Sequence, residues 1–210
     1  MSRPVRLHWV SPLPPQESGI AQYTRLILPA LAAQAEVILW TDTPGWDRAL
    51  ENTAPVRLFD PNAPMPLDFT PGSGDGTATD AVFYHIADSG VFHAGIFTLA
   101  RRVPGVVVLH DLALQDILHH LVGHGLLDPR LYREAMIRHH GEEGRQGAQA
   151  VLDHGLTPDI AERMPMFQIA LETAVAALCH APSMFERMRE GARVPIYHAD
   201  LPLNRHKTEG

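Results

Sequence analysis

The stretch SPLPPQESGIAQYT, residues 11–24, decides how this chain is read. The apolar segment before it, Val5–Val10, reads as a buried strand. A proline-rich loop follows, then the single glycine Gly19, then Ile20, Tyr23, Leu26, Ile27, Ala30 and Leu31 at helical spacing. A strand that empties through a stiff loop into a helix N-terminus forms a pocket at the carboxyl edge of a sheet. The first N–H groups of such a helix lack internal partners and favour an anionic or hydroxyl-rich ligand. Gly19 has no Cβ, so a ligand can come close to the backbone there. The stretch announces the binding edge of an α/β domain and leaves the ligand open.

Outward from this point, strand and helix alternate. Glu36–Trp40, Val56–Phe59, Ala81–Ile86, Val106–Leu109, Ala177–His180 and Val194–Tyr197 read as further short strands. Helices are expected over Ile20–Ala33, Val91–Arg102, Asp111–Val122, Pro129–Leu152 (interrupted by glycines), Met166–Ala176 and Ser183–Glu190, the last capped by Ser183. Residues 60–79 are rich in Pro, Gly, Asp and Thr and read as a loop. Short apolar strands separated by helices predict a mostly parallel sheet covered on both faces. The expected fold is one Rossmann-like three-layer α/β/α domain over residues 1–198, with 199–210 as a disordered polar tail.

Composition narrows the function. At 210 residues, 45% hydrophobic and 20% charged, the chain has the make-up of a soluble globular domain able to bury a core. Its net charge of −7 argues against nucleic acid as the main partner. Cys179 is the single cysteine, so there is no intrachain disulfide framework, and a reducing cytoplasm is the expected location. Arg3, Pro4, Arg6 and His8 interrupt the N-terminus, so no secretory h-region is visible. No run reaches the roughly 20 apolar residues of a membrane span. Peripheral membrane contact, which needs only one amphipathic face, stays open.

Several residues carry candidate chemistry. His110 and Asp111 directly follow the strand Val106–Leu109, where open α/β sheets place ligands. Asp111 also suits the N-cap of the next helix. Glu17, Ser18, Gly19 and Gln22 surround the first helix N-terminus, with neither a P-loop nor a dinucleotide fingerprint present. His85 closes the strand Ala81–Ile86, and Asp88 or Ser89 suits the cap of the following helix. His93 falls inside that helix and reads as packing or surface. The segment HHGEEG, residues 139–144, invites a metal reading because His139 and Glu143 stand at i, i+4. The H-E-x-x-H order is absent and no third ligand is placed, so no metal site is assigned. Cys179 reads as buried and inert.

Residues 11–24, YHIADSGVFHAGIFTLARRVPG (84–105) and PGVVVLHDL (104–112) together resemble the N-terminal domain of GT-B glycosyltransferases. The likeness is strongest to the large retaining family that transfers sugars from nucleotide-sugars. That family shows a Ser-Pro-x-Pro loop running into Gly-Ile and a helix, then Tyr-His-Ile, then a strand ending in His-Asp. It also carries a segment similar to His140–Gly144 and works without a bound catalytic metal. The resemblance spans about residues 5–198. It implies an acceptor-side half of a GT-B architecture, with no cofactor of its own. It places His110 in the catalytic position, bonding a sugar hydroxyl, and puts Ser18, Gly19, Gln22, His85 and Asp111 on the substrate side.

The family's nucleotide-sugar domain, with its Arg/Lys pair and paired glutamates, has no counterpart in these 210 residues. Sugar transfer is therefore expected only when a donor domain completes the site. The chain reads as a fragment, as a half-enzyme completed by a separate donor-domain chain, or as a remnant kept for binding. The isolated chain should be inactive or nearly so. Self-association is the other expected use of the cleft edge, where Trp9, Val91 and Phe92 would be partly exposed. A second reading stays open: a non-catalytic ligand-binding or protein-interaction module on the same scaffold.

Overall fold

The computed structural model describes residues 6–64 and 80–201. Seven strands form one sheet: β1 (Arg6–Val10), β2 (Glu36–Thr41), β3 (Val56–Leu58), β4 (Asp80–Ile86), β5 (Val106–Leu109), β6 (Ala176–Cys179) and β7 (Ile196–His198). Their order is β3-β2-β1-β4-β5-β6-β7 and every pairing is parallel. This is a Rossmann-like α/β fold, more strictly parallel than the strand pattern required.

The sequence explains both layers. Along β1 and β4, successive side chains point to opposite faces. Trp9 joins Val37, Leu39, Leu28 and Leu13 in a core under α1 (Gly19–Ala32). Val10, Ile38, Trp40, Tyr84 and Ile86 point the other way, into the larger core. That core packs under α2 (Gly90–Ala100), α3 (Gln115–Gly123) and α4 (Pro129–His154). Helices α5 (Pro158–Arg163), α6 (Gln168–Leu171) and α7 (Pro182–Gly191), with a short 3-10 helix over Arg48–Asn52, complete the elements among the described residues. Gln115, fully buried, ties this layer together: its amide donates to Met164 O at 2.6 Å and its carbonyl accepts from the Tyr132 hydroxyl at 2.9 Å. A buried amide needs such partners, because an unpaired one costs a few kcal/mol.

Several boundaries differ from the sequence reading. The helix expected over Met166–Ala176 shrinks to Gln168–Leu171, and Pro165 precedes a Met166 held at φ 61°. The helix expected from Asp111 starts four residues later, at Gln115. Ser183 does not cap α7: the cap position is Ala181, and Pro182 opens the helix. Helix α5 is an element the sequence pattern does not announce; Thr157 caps it and Pro158 begins it. Part of the loop expected over 60–79, and most of the tail expected over 199–210, lie outside the described residues. Within 199–201, Ala199 still donates to Cys179 O, continuing the β7 ladder.

Helix α4 contains one break. Gly141 takes φ 59° and ψ −134°, outside the helical region, so the rod is really two helices joined at a kink. Gly144 lies against the Met136 carbonyl, where a side chain would collide. Gly141→Ala is expected to lower stability by about 1–3 kcal/mol, since a residue with a Cβ is strained at that φ/ψ. Urea unfolding of the variant against the parent measures this, and equal midpoints would show that the kink relaxes freely.

Candidate functional site

Strand order reverses at β1. From it the chain steps one way to β2 and β3, and the other way to β4 through β7. The crevice outside the carboxyl ends of β1 and β4 is the position at which open α/β sheets bind ligands. The loop after β1 reaches this edge in a fixed shape. Ser11 N donates to Trp40 O at 3.0 Å, and the Ser11 and Thr24 hydroxyls bond at 2.8 Å. The Trp9 indole donates to the same Thr24 hydroxyl at 3.1 Å, and Asp47 N donates to Pro14 O at 2.6 Å. Ser18 ends the loop as the N-cap of α1, its hydroxyl accepting from Ile20 N at 3.2 Å. Thr24 is wholly buried, and nothing in the sequence singled it out.

Gly19 stands in the first turn of α1 at the surface, and a Cβ there would meet nothing. The fold itself does not demand glycine at this position. Gln22, one turn further, is exposed on the same helix.

Beside this helix start lies a cluster of rings. His85, at the end of β4, is fully buried, with its Nδ1 3.0 Å from His110 Nε2. His180, following β6, stands with its ring centroid 5.3 Å from that of His110. Tyr23 of α1 closes the group, its ring 5.4 Å from both His110 and His180 and 5.7 Å from His85. Trp9 lies under His85 at 4.0 Å between centroids. The sequence predicted Gly19, His85 and His110 at one edge, and the structure brings them there. It adds Tyr23 and His180, which the sequence hid inside an apolar-periodic run and at the end of an ordinary strand.

Burial sets the charge of this cluster. Desolvation pushes the His110 imidazole down to about 3, with the nearby histidines adding to the effect. It drives His85 well below its ordinary value for the same reason. His93 of α2 is brought down to about 4 by burial, which the hydrogen bond to His85 O partly offsets. At neutral pH these three rings are uncharged, so the His85–His110 pair shares one proton along its hydrogen bond. His180 Nδ1 donates to Ala199 O at 2.7 Å, and its Nε2 is buried without a hydrogen-bond partner, as is Nε2 of His85. Neutral imidazoles and a phenol offer donors and acceptors without net charge, which suits hydroxyl groups better than ions. An imidazole with a pKa near 3 is a weak base at pH 7, so His110 suits hydrogen bonding and not proton transfer.

Carboxylates brace the loops beneath. Asp111 does not cap the next helix as its sequence position suggested. Its carboxylate instead accepts from Asp88 N at 2.9 Å. The α3 N-terminus is capped from the other loop: Asp88 Oδ1 accepts from the N–H groups of Asp116 and Ile117 at 2.8 and 3.1 Å. Asp116 returns the bond by accepting from Gly90 N at 3.1 Å, at the start of α2. Ser89 occupies the α2 cap position but makes no side-chain bond. These caps come from residues more than twenty positions away, so no local cap pattern could reveal them. Burial raises Asp88 to about 6 despite its two backbone donors, with neighbouring Asp116 and Asp111 pushing the same way.

Two other expectations are revised. Trp9, expected to be partly exposed at the edge, is buried with 5% exposure, because β1 is central and α1 covers it. Val91 is indeed 76% exposed there. The i, i+4 spacing of His139 and Glu143 is broken by the Gly141 kink. Among the described residues no three His, Cys, Asp or Glu side chains are grouped to hold a metal ion. Among the same residues no helix is long and apolar enough to cross a membrane. Compared with known families and curated proteins, the chain matches no family model and no curated sequence.

The buried histidines fix a pH response. Their folded pKa values lie below the unfolded value of about 6.5, so the unfolded chain takes up their protons first. Stability present above pH 6.5 is lost as pH falls toward 4, at up to about 1.4 kcal/mol per pH unit for each ring. Asp88, raised, works in the opposite sense between about 4 and 6 and cancels part of one ring's effect. Denaturant melts at pH 7 and pH 5 should show a large loss, reduced in His110→Gln. A pH-independent midpoint would contradict the neutral cluster. In the same assay Asp88→Ala should cost about 1–2 kcal/mol, and Asp88→Asn, which keeps an acceptor for α3, clearly less.

Proposed function

We propose that this chain is the acceptor-side domain of a GT-B glycosyltransferase, transferring sugar from a nucleotide-sugar once a donor-binding domain completes the cleft. The observation that carries the reading is the convergence of Gly19, His85 and His110 on one carboxyl edge, beside the reversal of strand order. These residues come from the three segments that carry the family resemblance. The charge state of the edge fits an acceptor. Neutral rings, the Tyr23 hydroxyl and an open glycine at a helix start form a lining for a polyhydroxyl compound.

In this proposal His110, oriented by His85, bonds a hydroxyl of the sugar in the cleft. Ser18 fixes the helix start, Gly19 leaves room for the ligand, and Gln22 and Tyr23 line the mouth. Asp111 holds the Asp88 loop in place and meets the substrate only through that loop. The positive groups that stabilise a departing nucleoside diphosphate, commonly the largest catalytic contribution, belong to the partner domain. The exposed Val91 beside the edge suits contact with that domain. A non-catalytic hydroxyl-binding module is the second reading, and the low basicity of His110 is what favours it.

Backbone NMR with simple methyl glycosides tests the edge. Saturable shifts at Gly19, His85 and His110 are expected, and their absence with every glycoside tried would count against both readings. Gly19→Ala should leave thermal stability equal or slightly higher, since alanine is favoured in a helix by up to about 1 kcal/mol. It should weaken glycoside binding by filling the space at the helix start. For activity, the chain alone should transfer no sugar from common uridine or guanosine diphosphate sugars. Mixing it with a compatible donor domain should restore turnover, and His110→Ala should abolish it. Robust turnover by the chain alone would refute the split-site model.

A further inference from the structure

The edge opposite the candidate site, at the amino ends of the strands, holds a cleft of about 500 Å³ that the proposed function does not use. It is lined by Arg138 and His139 of α4, Gln168 and Glu172 beside α6, and Arg193 on the loop from α7 to β7. We infer that this cleft is a binding site for a small phosphate monoester.

Charge is the first argument. In a chain of net charge −7, the lining of this cleft holds two guanidinium groups, Arg138 and Arg193, and one carboxylate, Glu172. Glu172 pairs with Arg138 at 2.6 Å and with Arg101 at 3.5 Å. Arg193 is exposed and has no ion pair among the described residues. Glu172 is already shared between Arg138 and Arg101, so Arg193 leaves the cleft lining with an excess of positive charge. Such an excess in a concave site concentrates anions.

Unmet hydrogen bonding is the second argument. His139 Nε2 lies 3.5 Å from Glu172 Oε1 without making a hydrogen bond, and it is shielded from solvent. Gln168 Oε1 is likewise buried without a partner. Buried polar atoms are nearly always bonded, so two orphans lining one cleft point to a ligand that supplies the missing partners. A phosphate monoester offers acceptor oxygens to the arginines and to His139, and its hydroxyl-bearing remainder can donate to Gln168. Guanidinium groups match phosphate geometry, and the volume falls in the usual range for small-molecule sites. Gly191 shapes the wall: a Cβ there would stand 3.1 Å from the Phe167 ring and 3.4 Å from the Gln168 amide.

The test is NMR titration of the full chain with inorganic phosphate and with glycerol phosphate. Saturable shifts at Arg138, His139, Gln168 and Arg193, tighter for the monoester, are expected. Arg193→Ala, which breaks no ion pair, should raise the monoester Kd by about tenfold, the size of one charge-assisted hydrogen bond. Arg25→Ala, the same charge change on α1, should alter it by less than about twofold, as expected of a screened distant charge. Glu172→Gln should tighten binding if the variant stays folded. Equal losses in the two arginine variants, no saturable shifts, or binding of free phosphate with exclusion of the monoester would each overturn the inference. None of these outcomes bears on the glycoside-binding edge.

Discussion

The reversal of strand order at β1 is the constraint on which the rest depends. Parallel strands are joined by right-handed crossovers, so a chain that steps left from β1 and later right must place its helices on opposite faces. Helix α1 therefore covers one side of the sheet, and α2 covers the other. The two cannot both close over the carboxyl ends of β1 and β4, and the gap between them is the crevice. Everything proposed for the site follows from which residues the strands deliver to that gap.

What they deliver is unusual for a surface cleft. His85 occupies a strand end that is wholly buried, and His110 and His180 continue the same row from β5 and β6. Desolvation sets the charge there, because among the described residues no carboxylate faces His85 or His110. Neutrality at pH 7 is thus a consequence of the sheet geometry. The aspartates stand one layer away and serve the backbone: Asp88 and Asp116 exchange caps between the starts of α2 and α3. Each helix start is thus held by the other's carboxylate, and Asp111 ties its own loop to that of Asp88 through Asp88 N.

The two ends of the sheet differ in kind. The carboxyl end gathers the uncharged rings of His85 and His110, while the amino end gathers Arg101 and Arg138 around Glu172. The hydroxyl compound and the phosphate monoester proposed above are accordingly assigned to opposite ends of the sheet.

The sequence by itself determined the alternation of short apolar strands with helices, and with it the parallel sheet. Val106–Leu109 could be read because four consecutive apolar, mostly β-branched residues fit only a strand buried on both faces. It also determined that Gly19, His85 and His110 follow strand ends, which in a parallel sheet puts them on one edge. Tertiary structure alone decided which further groups meet them. Tyr23 looked like one more residue of a helical stripe, and His180 like the end of a strand, until strand order put both beside His110. It also decided the caps. Asp111 had the local pattern of an N-cap, yet Asp88 supplies the bond from 28 residues away, since a carboxylate caps whichever free N–H groups packing brings within reach. Local pattern reports what a segment can do; only the packed chain fixes which of its partners is near enough to do it with.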